Sequence, residues 1–168
     1  MIHVCSLARL HGTVEETGAR HVVTLMKDIS MVRRPPSIDQ ANHLLLDMDD
    51  ITAEVEGFVA PGEEHVSQLI AFVRNWNRAK PMVVHCYAGI SRSTAGAFIT
   101  ACTLNPRRDE ALIARAIRDA SIIANPNMRL VALADRLLER DGRMVKAIEE
   151  IGPGQMAPEG NPFRLDLE

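Results

Sequence analysis

Aromatic side chains are scarce in this sequence of 168 residues, which holds one Trp, one Tyr and four Phe. Eight Met supply adaptable filling for the core instead. Cysteine is scarce too. Cys5, Cys86 and Cys102 are odd in number and lack paired spacing, which excludes a disulfide framework and a thiolate zinc site. They read as thiols in a reducing compartment. Neither sign of charge dominates: 19 Lys and Arg against 22 Asp and Glu leave a net charge of -3, which excludes a broad electrostatic attraction to nucleic acid or an acidic membrane surface. Any affinity for an anion must be local. No stretch approaches the roughly 20 apolar residues that span a bilayer. The opening MIHVCSLARLHG has no basic region leading into an apolar run and cleavage site. The expectation is a cytoplasmic chain, monomeric or weakly dimeric, without a nucleic-acid or membrane partner.

With 46% hydrophobic and 24% charged residues, the chain is long enough for one sizeable core and too short for several. Short apolar runs at Ile2 to Ser6, His21 to Met26, His43 to Asp47 and Pro81 to Cys86, three of them carrying β-branched residues, predict four core strands. Helical spacing predicts a short helix around Thr13 to Thr17, then helices over Glu63 to Arg78, Ser93 to Leu104, Asp109 to Ala120 and Met128 to Arg140. Pro61-Gly62, Pro106 and Asn125-Pro126-Asn127 punctuate them. Strands alternating with helices, then helices alone, predict an α/β fold with a central, mainly parallel sheet of four or five strands flanked by helices. Residues 1–150 are expected to form the single domain. Residues 151–168, rich in Pro and Gly and without apolar period, are expected to form an extended tail.

The chemistry concentrates in one stretch, VVHCYAGISRST, where a strand runs into Cys86, a five-residue turn, Arg92 and a helix. Such a turn can direct successive backbone N–H groups inward as an anion cradle. The N-terminus of the following helix adds its unpaired amides and its dipole at the same point. That field and the nearby guanidinium favour thiolate over thiol at Cys86, which makes it a nucleophile. Arg92 offers a planar fork for two phosphoryl oxygens. Gly89 permits a backbone conformation or close approach that a side chain would block, Ser93 is placed to hydrogen-bond the sulfur, and Tyr87 is expected to pack beneath the loop.

His85-Cys86, five residues, Arg92 and Ser93 resemble the signature loop of the cysteine-dependent protein tyrosine phosphatases, in their compact dual-specificity form. The resemblance extends over roughly residues 1 to 140, through strand order and the Asn125-Pro126-Asn127 segment. It implies a dual-specificity-phosphatase-like fold. Cys86 would be the nucleophile, the backbone from Tyr87 through Ala88, Gly89, Ile90 and Ser91 to Arg92 would hold phosphate, and Ser93 and His85 would support the thiolate. The family also draws a general acid from a loop some thirty-odd residues before the cysteine. Here HLLLDMDDI offers Asp47, Asp49 and Asp50. Asp47 is expected to end the strand, so Asp50 is favoured with Asp49 close behind. Asn127 resembles a position the compact phosphatases retain, but an asparagine beside proline is as often a turn residue.

The implied reaction is hydrolysis of phosphotyrosine, with phosphoserine and phosphothreonine as further substrates, through a phosphocysteine and without metal or organic cofactor. The partner is then a phosphorylated protein or a small phosphomonoester. Three alternatives stand beside it. A phosphoinositide phosphatase is disfavoured because Tyr87, Ala88 and Ile90 stand where lysines would hold a polyanion. A sulfurtransferase fits the spacing to Arg92 and the following Ser93 less well. A phosphate-binding module without turnover would need a miswired acid loop.

Overall fold

The computed structural model describes residues 1–167. A five-stranded sheet runs through the molecule in the order β3-β2-β4-β1-β5, from β1 (Ile2–Ser6), β2 (His21–Leu25), β3 (His43–Leu46), β4 (Met82–Cys86) and β5 (Phe163–Leu165). β1, β2, β3 and β4 are mutually parallel, and β5 alone is antiparallel, on the outer edge of β1. The four strands expected from the short apolar runs are present, and the α/β class holds. Because β4 is flanked on both sides and covered on both faces, all five of its residues are buried. The register sets Ser6 opposite Cys86 and Thr24 opposite His85.

Alternation along the strands divides the core. Cys5, Val22 and Val83 meet Leu10 and Val14 of α1 (Leu10–Thr17). Ile2, Val4, Val23, Met82 and Val84 face the larger layer, built from α2 (Glu63–Arg74), α3 (Arg92–Leu104), α4 (Glu110–Ala120), α5 (Met128–Leu137) and α6 (Arg143–Ile151). α3 is the central helix, with Ser93 through Thr103 all buried. Its composition explains how it fits: Gly96 lies so close to the sheet that a Cβ would stand 3.0 Å from Val84 Cγ1. Among the described residues, no helix is long and apolar enough to cross a membrane.

The differences from expectation are local. α1 starts earlier, at Leu10. α2 stops at Arg74, where the Asn75 amide group donates to Ala71 O (3.1 Å) and closes the helix before Trp76 turns into the core. β3 ends at Leu46, so Asp47 lies just beyond the strand. α6, absent from the sequence reading, is started by a buried aspartate of α5: Asp135 accepts from the amides of Gly142 (2.7 Å), Met144 (2.7 Å) and Val145 (3.3 Å). The segment after α6 is docked along the molecule and ends in β5.

Candidate active site

β4 delivers Cys86 to the C-terminal edge of the sheet's middle, and α3 begins at Arg92. The loop between them is held from outside by its carbonyls. Tyr87 O accepts from Leu7 N–H (3.1 Å), Ala88 O from Gly160 N–H (2.8 Å), Ile90 O from Asn125 N–H (3.0 Å) and Ser91 O from Asn127 N–H (3.1 Å). In a planar trans peptide the N–H opposes the C=O. Four outward carbonyls therefore turn the amides of Ala88, Gly89, Ser91 and Arg92 toward the loop's centre. One contact shows the result directly, as Gly89 N–H donates to Cys86 Sγ at 3.3 Å. Glycine is required there twice over, by its φ of +73° and because a Cβ would fall 2.8 Å from Cys5 C and Ser6 N. The loop's centre thus collects N–H groups and the start of a 13-residue helix, an arrangement that receives an anion.

The buried Cys86 Sγ also meets Ser93 Oγ at 3.2 Å. The thiol donates in this contact; for a thiolate the hydroxyl turns to donate instead. Arg92 is fixed on one side, its Nη1 donating to Met48 O at 2.9 Å. Its Nε is buried without a partner. A buried unpaired donor is costly, and an oxyanion in the cradle would satisfy it.

The three aspartates are separated by their partners. Asp47 faces Lys27 (3.7 Å). Asp49 is consumed by its own loop, its Oδ2 accepting from Val59 N–H at 2.7 Å and its amide donating to Val59 O at 2.8 Å. Asp50 alone reaches the cradle: its Oδ1 accepts from Ser91 Oγ (2.7 Å) and from Asn127 Nδ2 (2.8 Å). Asn127 performs three tasks at once, since Nδ2 also donates to Ile51 O (3.2 Å) and Oδ1 caps α5 by accepting from Leu130 N–H (3.1 Å). The sequence reading left it outside the site, although it had singled out the segment. Arg129 pins the far end of the loop that carries Asp50 by donating to Pro61 O at 2.6 Å.

Behind the loop, His85 is fully buried and heads a relay. Cys86 O, 3.3 Å from His85 Nδ1, can only accept, so Nδ1 carries the proton. His85 Nε2 then accepts from Thr24 Oγ1 (2.6 Å), and Thr24 Oγ1 accepts from His43 Nε2 (2.8 Å). Burial pushes His85 down to about 4, opposed in part by its bond to Cys86 O and helped by His43 and His11. His43 is likewise lowered to about 4, by burial and then by Arg34. Both rings are neutral at neutral pH, and the relay holds the Cys86 peptide rather than supplying a charge.

Tyr87 does not pack beneath the loop as expected; it is 65% exposed. The backbone of Cys5 and Ser6 already occupies that space, at 2.8 Å from where a Gly89 Cβ would be. Beside the cradle, a groove of about 700 Å3 runs from Asp50, Ser91 and Asn127 over Met128 to Ile148 and Glu149. Among the described residues no three His, Cys, Asp or Glu side chains are grouped to share a metal ion.

A family model described as "Tc-R-P: Polymorphic toxin system, DSP-PTPase phosphatase" matches residues 7–106. Among solved structures, the chain is similar to the PTP-2 phosphatase of Cydia pomonella, at 18% identity and TM-score 0.62 over 80% of this chain and 84% of that one. It is similar to human DUSP28, at 17% identity and TM-score 0.63 over 83% and 88%. PTPMT1 in complex with PI(5)P matches at 14% identity and TM-score 0.60 over 88% and 93%. At these identities the structural likeness speaks for the fold. No curated protein sequence matches the chain.

Proposed function

The chain belongs to the DSP-PTPase phosphatase family of polymorphic toxin systems, and on that premise we propose that it hydrolyses phosphotyrosine, and with it phosphoserine and phosphothreonine, through a phosphocysteine formed on Cys86. The observation that carries the reading is the sulfur's position: Cys86 Sγ lies within a ring of inward amides, bonded to Gly89 N–H and Ser93 Oγ, with the unpaired Arg92 Nε in the same loop. A phosphate monoester docks on the amides of Ala88 to Arg92 and on the Arg92 guanidinium. The Cys86 thiolate attacks phosphorus, the ester P–O bond breaks, and protonated Asp50 gives its proton to the leaving oxygen. Asp50 carboxylate then takes a proton from water, whose oxygen attacks the phosphocysteine and releases inorganic phosphate and the Cys86 thiolate. Ser93 donates to the departing sulfur, and Arg92 stays charged while negative charge spreads over the phosphoryl oxygens.

Asp50 is chosen because Asp47 and Asp49 are held by Lys27 and Val59, whereas Asp50 is bonded to a residue of the cradle itself. A monoester suits the loop better than a polyphosphorylated headgroup, since Tyr87, Ala88 and Ile90 bring no cation to it. The cytoplasm, a reducing compartment, suits a thiolate nucleophile and three unpaired cysteines. The test is hydrolysis of an aryl phosphate and a phosphotyrosine peptide by the purified protein. Cys86→Ser abolishes turnover, and Asp50→Asn removes most of it on esters with poor leaving groups while sparing those with good ones. Wild-type turnover by Cys86→Ser would refute the assignment.

A further inference from the structure

The segment following α6 crosses the molecule from the α4–α5 turn to the sheet edge, and it passes the cradle. Arg118 starts the docking, donating from Nη1 to Ile122 O and from Nη2 to Gly152 O, each at 2.7 Å. Gln155 N–H donates to Ile122 O (2.9 Å). A Cβ on Gly154 would stand 2.5 Å from Ile123 O, so the strand of chain lies flat against that turn. Further on, Glu159 Oε1 accepts from the buried Ser6 Oγ at 2.6 Å, and Gly160 N–H donates to Ala88 O at 2.8 Å. A Cβ on Gly160 would stand 2.7 Å from Gly89 O. β5 then closes the run by pairing with β1, with Leu165 and Leu167 buried. Residues 152–167 themselves lie beyond residue 106, where the family match ends.

We propose that residues 152–167 form a positioning strap for the catalytic loop, in which the Gly160 amide, bonded to Ala88 O, holds the Ala88–Gly89 peptide with its N–H on the Cys86 sulfur. The two bonds share one peptide group, Gly160 N–H to Ala88 O on one side and Gly89 N–H to Sγ on the other. A planar peptide cannot turn one end without the other, and a donor on its carbonyl polarises the N–H opposite. The strap therefore acts on the thiolate through the loop. Glu159 secures it on the buried Ser6, the residue that pairs in register with Cys86.

The inference rests on Cys86 being the nucleophile, and its test reads the sulfur without needing turnover. Iodoacetamide alkylation of Cys86 is followed against pH by peptide mass spectrometry; Cys5 and Cys102, both pushed up by burial to about 12, stay unmodified at neutral pH. In Gly160→Ala the crowding against Gly89 O displaces the strap, and the alkylation midpoint rises by roughly half to one pH unit, since a hydrogen bond to an anion is weakened. On para-nitrophenyl phosphate, kcat falls about tenfold. Met156→Ala, at a fully exposed strap residue, changes neither. A merely structural role would lower thermal stability and leave the midpoint of the folded fraction in place. A folded Gly160→Ala with the wild-type midpoint overturns the proposal. Should that variant not fold, Glu159→Ala is titrated instead, and an unmoved midpoint there overturns it equally. Absence of turnover in the wild-type protein would sink the phosphatase reading, while the midpoints would still decide on the strap.

Discussion

Acidification from pH 7 to pH 5 should cost this protein stability through one buried ring. His85 is fully buried and held at about 4, against 6.5 for an ordinary histidine, with burial as the main cause. Because the native value is the lower one, the unfolded chain binds the proton that the native ring refuses, and stability rises with pH across that interval. The contribution is complete above 6.5 and is lost progressively as pH falls toward 4. From pH 6.5 to 5, at 1.36 kcal/mol per unit, the loss is about 2 kcal/mol from His85 alone, a sizeable share of the roughly 5–15 kcal/mol of a typical domain. His43, lowered by its partial burial, adds a smaller loss of the same sign. Urea denaturation at pH 7, 6 and 5 measures the slope for wild type and His85→Gln. Glutamine keeps an acceptor for Thr24 and a donor for Cys86 O but takes up no proton. The variant should therefore lose about 2 kcal/mol less over the interval. Equal losses in the two proteins would refute both the burial argument and the neutral relay drawn from it.

Asn127→Ala removes the α5 cap and one of two donors on Asp50. It should cost about 1 kcal/mol of stability and lower kcat on poor leaving groups by roughly tenfold or more, with little change on good ones, as checked with aryl phosphates of graded phenol acidity. Gly89→Ala places a side chain at φ +73° and 2.8 Å from Cys5 C. A loss of at least about 2 kcal/mol and of inorganic-phosphate binding should follow in calorimetry. Asp135→Ala strands three amide donors at the start of α6 and should destabilise by about 2–4 kcal/mol in urea titration.

The parts of the fold written in local pattern were legible. β1, β2, β3 and β4 are compact apolar runs, and the strand, turn and helix around Cys86 follow from residues adjacent in sequence. What escaped depends on distant partners. β5 is three residues between Pro and Asp, and only the open edge of β1 makes it a strand. α6 follows the Asp141-Gly142 punctuation, where Asp141 has φ +51° and Gly142 φ +81°; its cap comes from Asp135, on the helix before it. HLLLDMDDI favoured Asp50 with Asp49 close behind, and what separates the three aspartates, the contacts of Lys27, Val59, Ser91 and Asn127, comes from four other places in the chain. Tyr87 was misplaced for the same kind of reason: the room beneath it is taken by β1.

The antiparallel β5 also closes an edge of the sheet. Without it, the five residues of β1 would present unpaired backbone donors and acceptors along a mostly buried strand, an invitation to edge-to-edge polymerisation. Three residues supplied from the far end of the chain occupy that row, and the opposite border is the four-residue β3. A chain shortened before Phe163 would be expected to precipitate as sheet-rich aggregate.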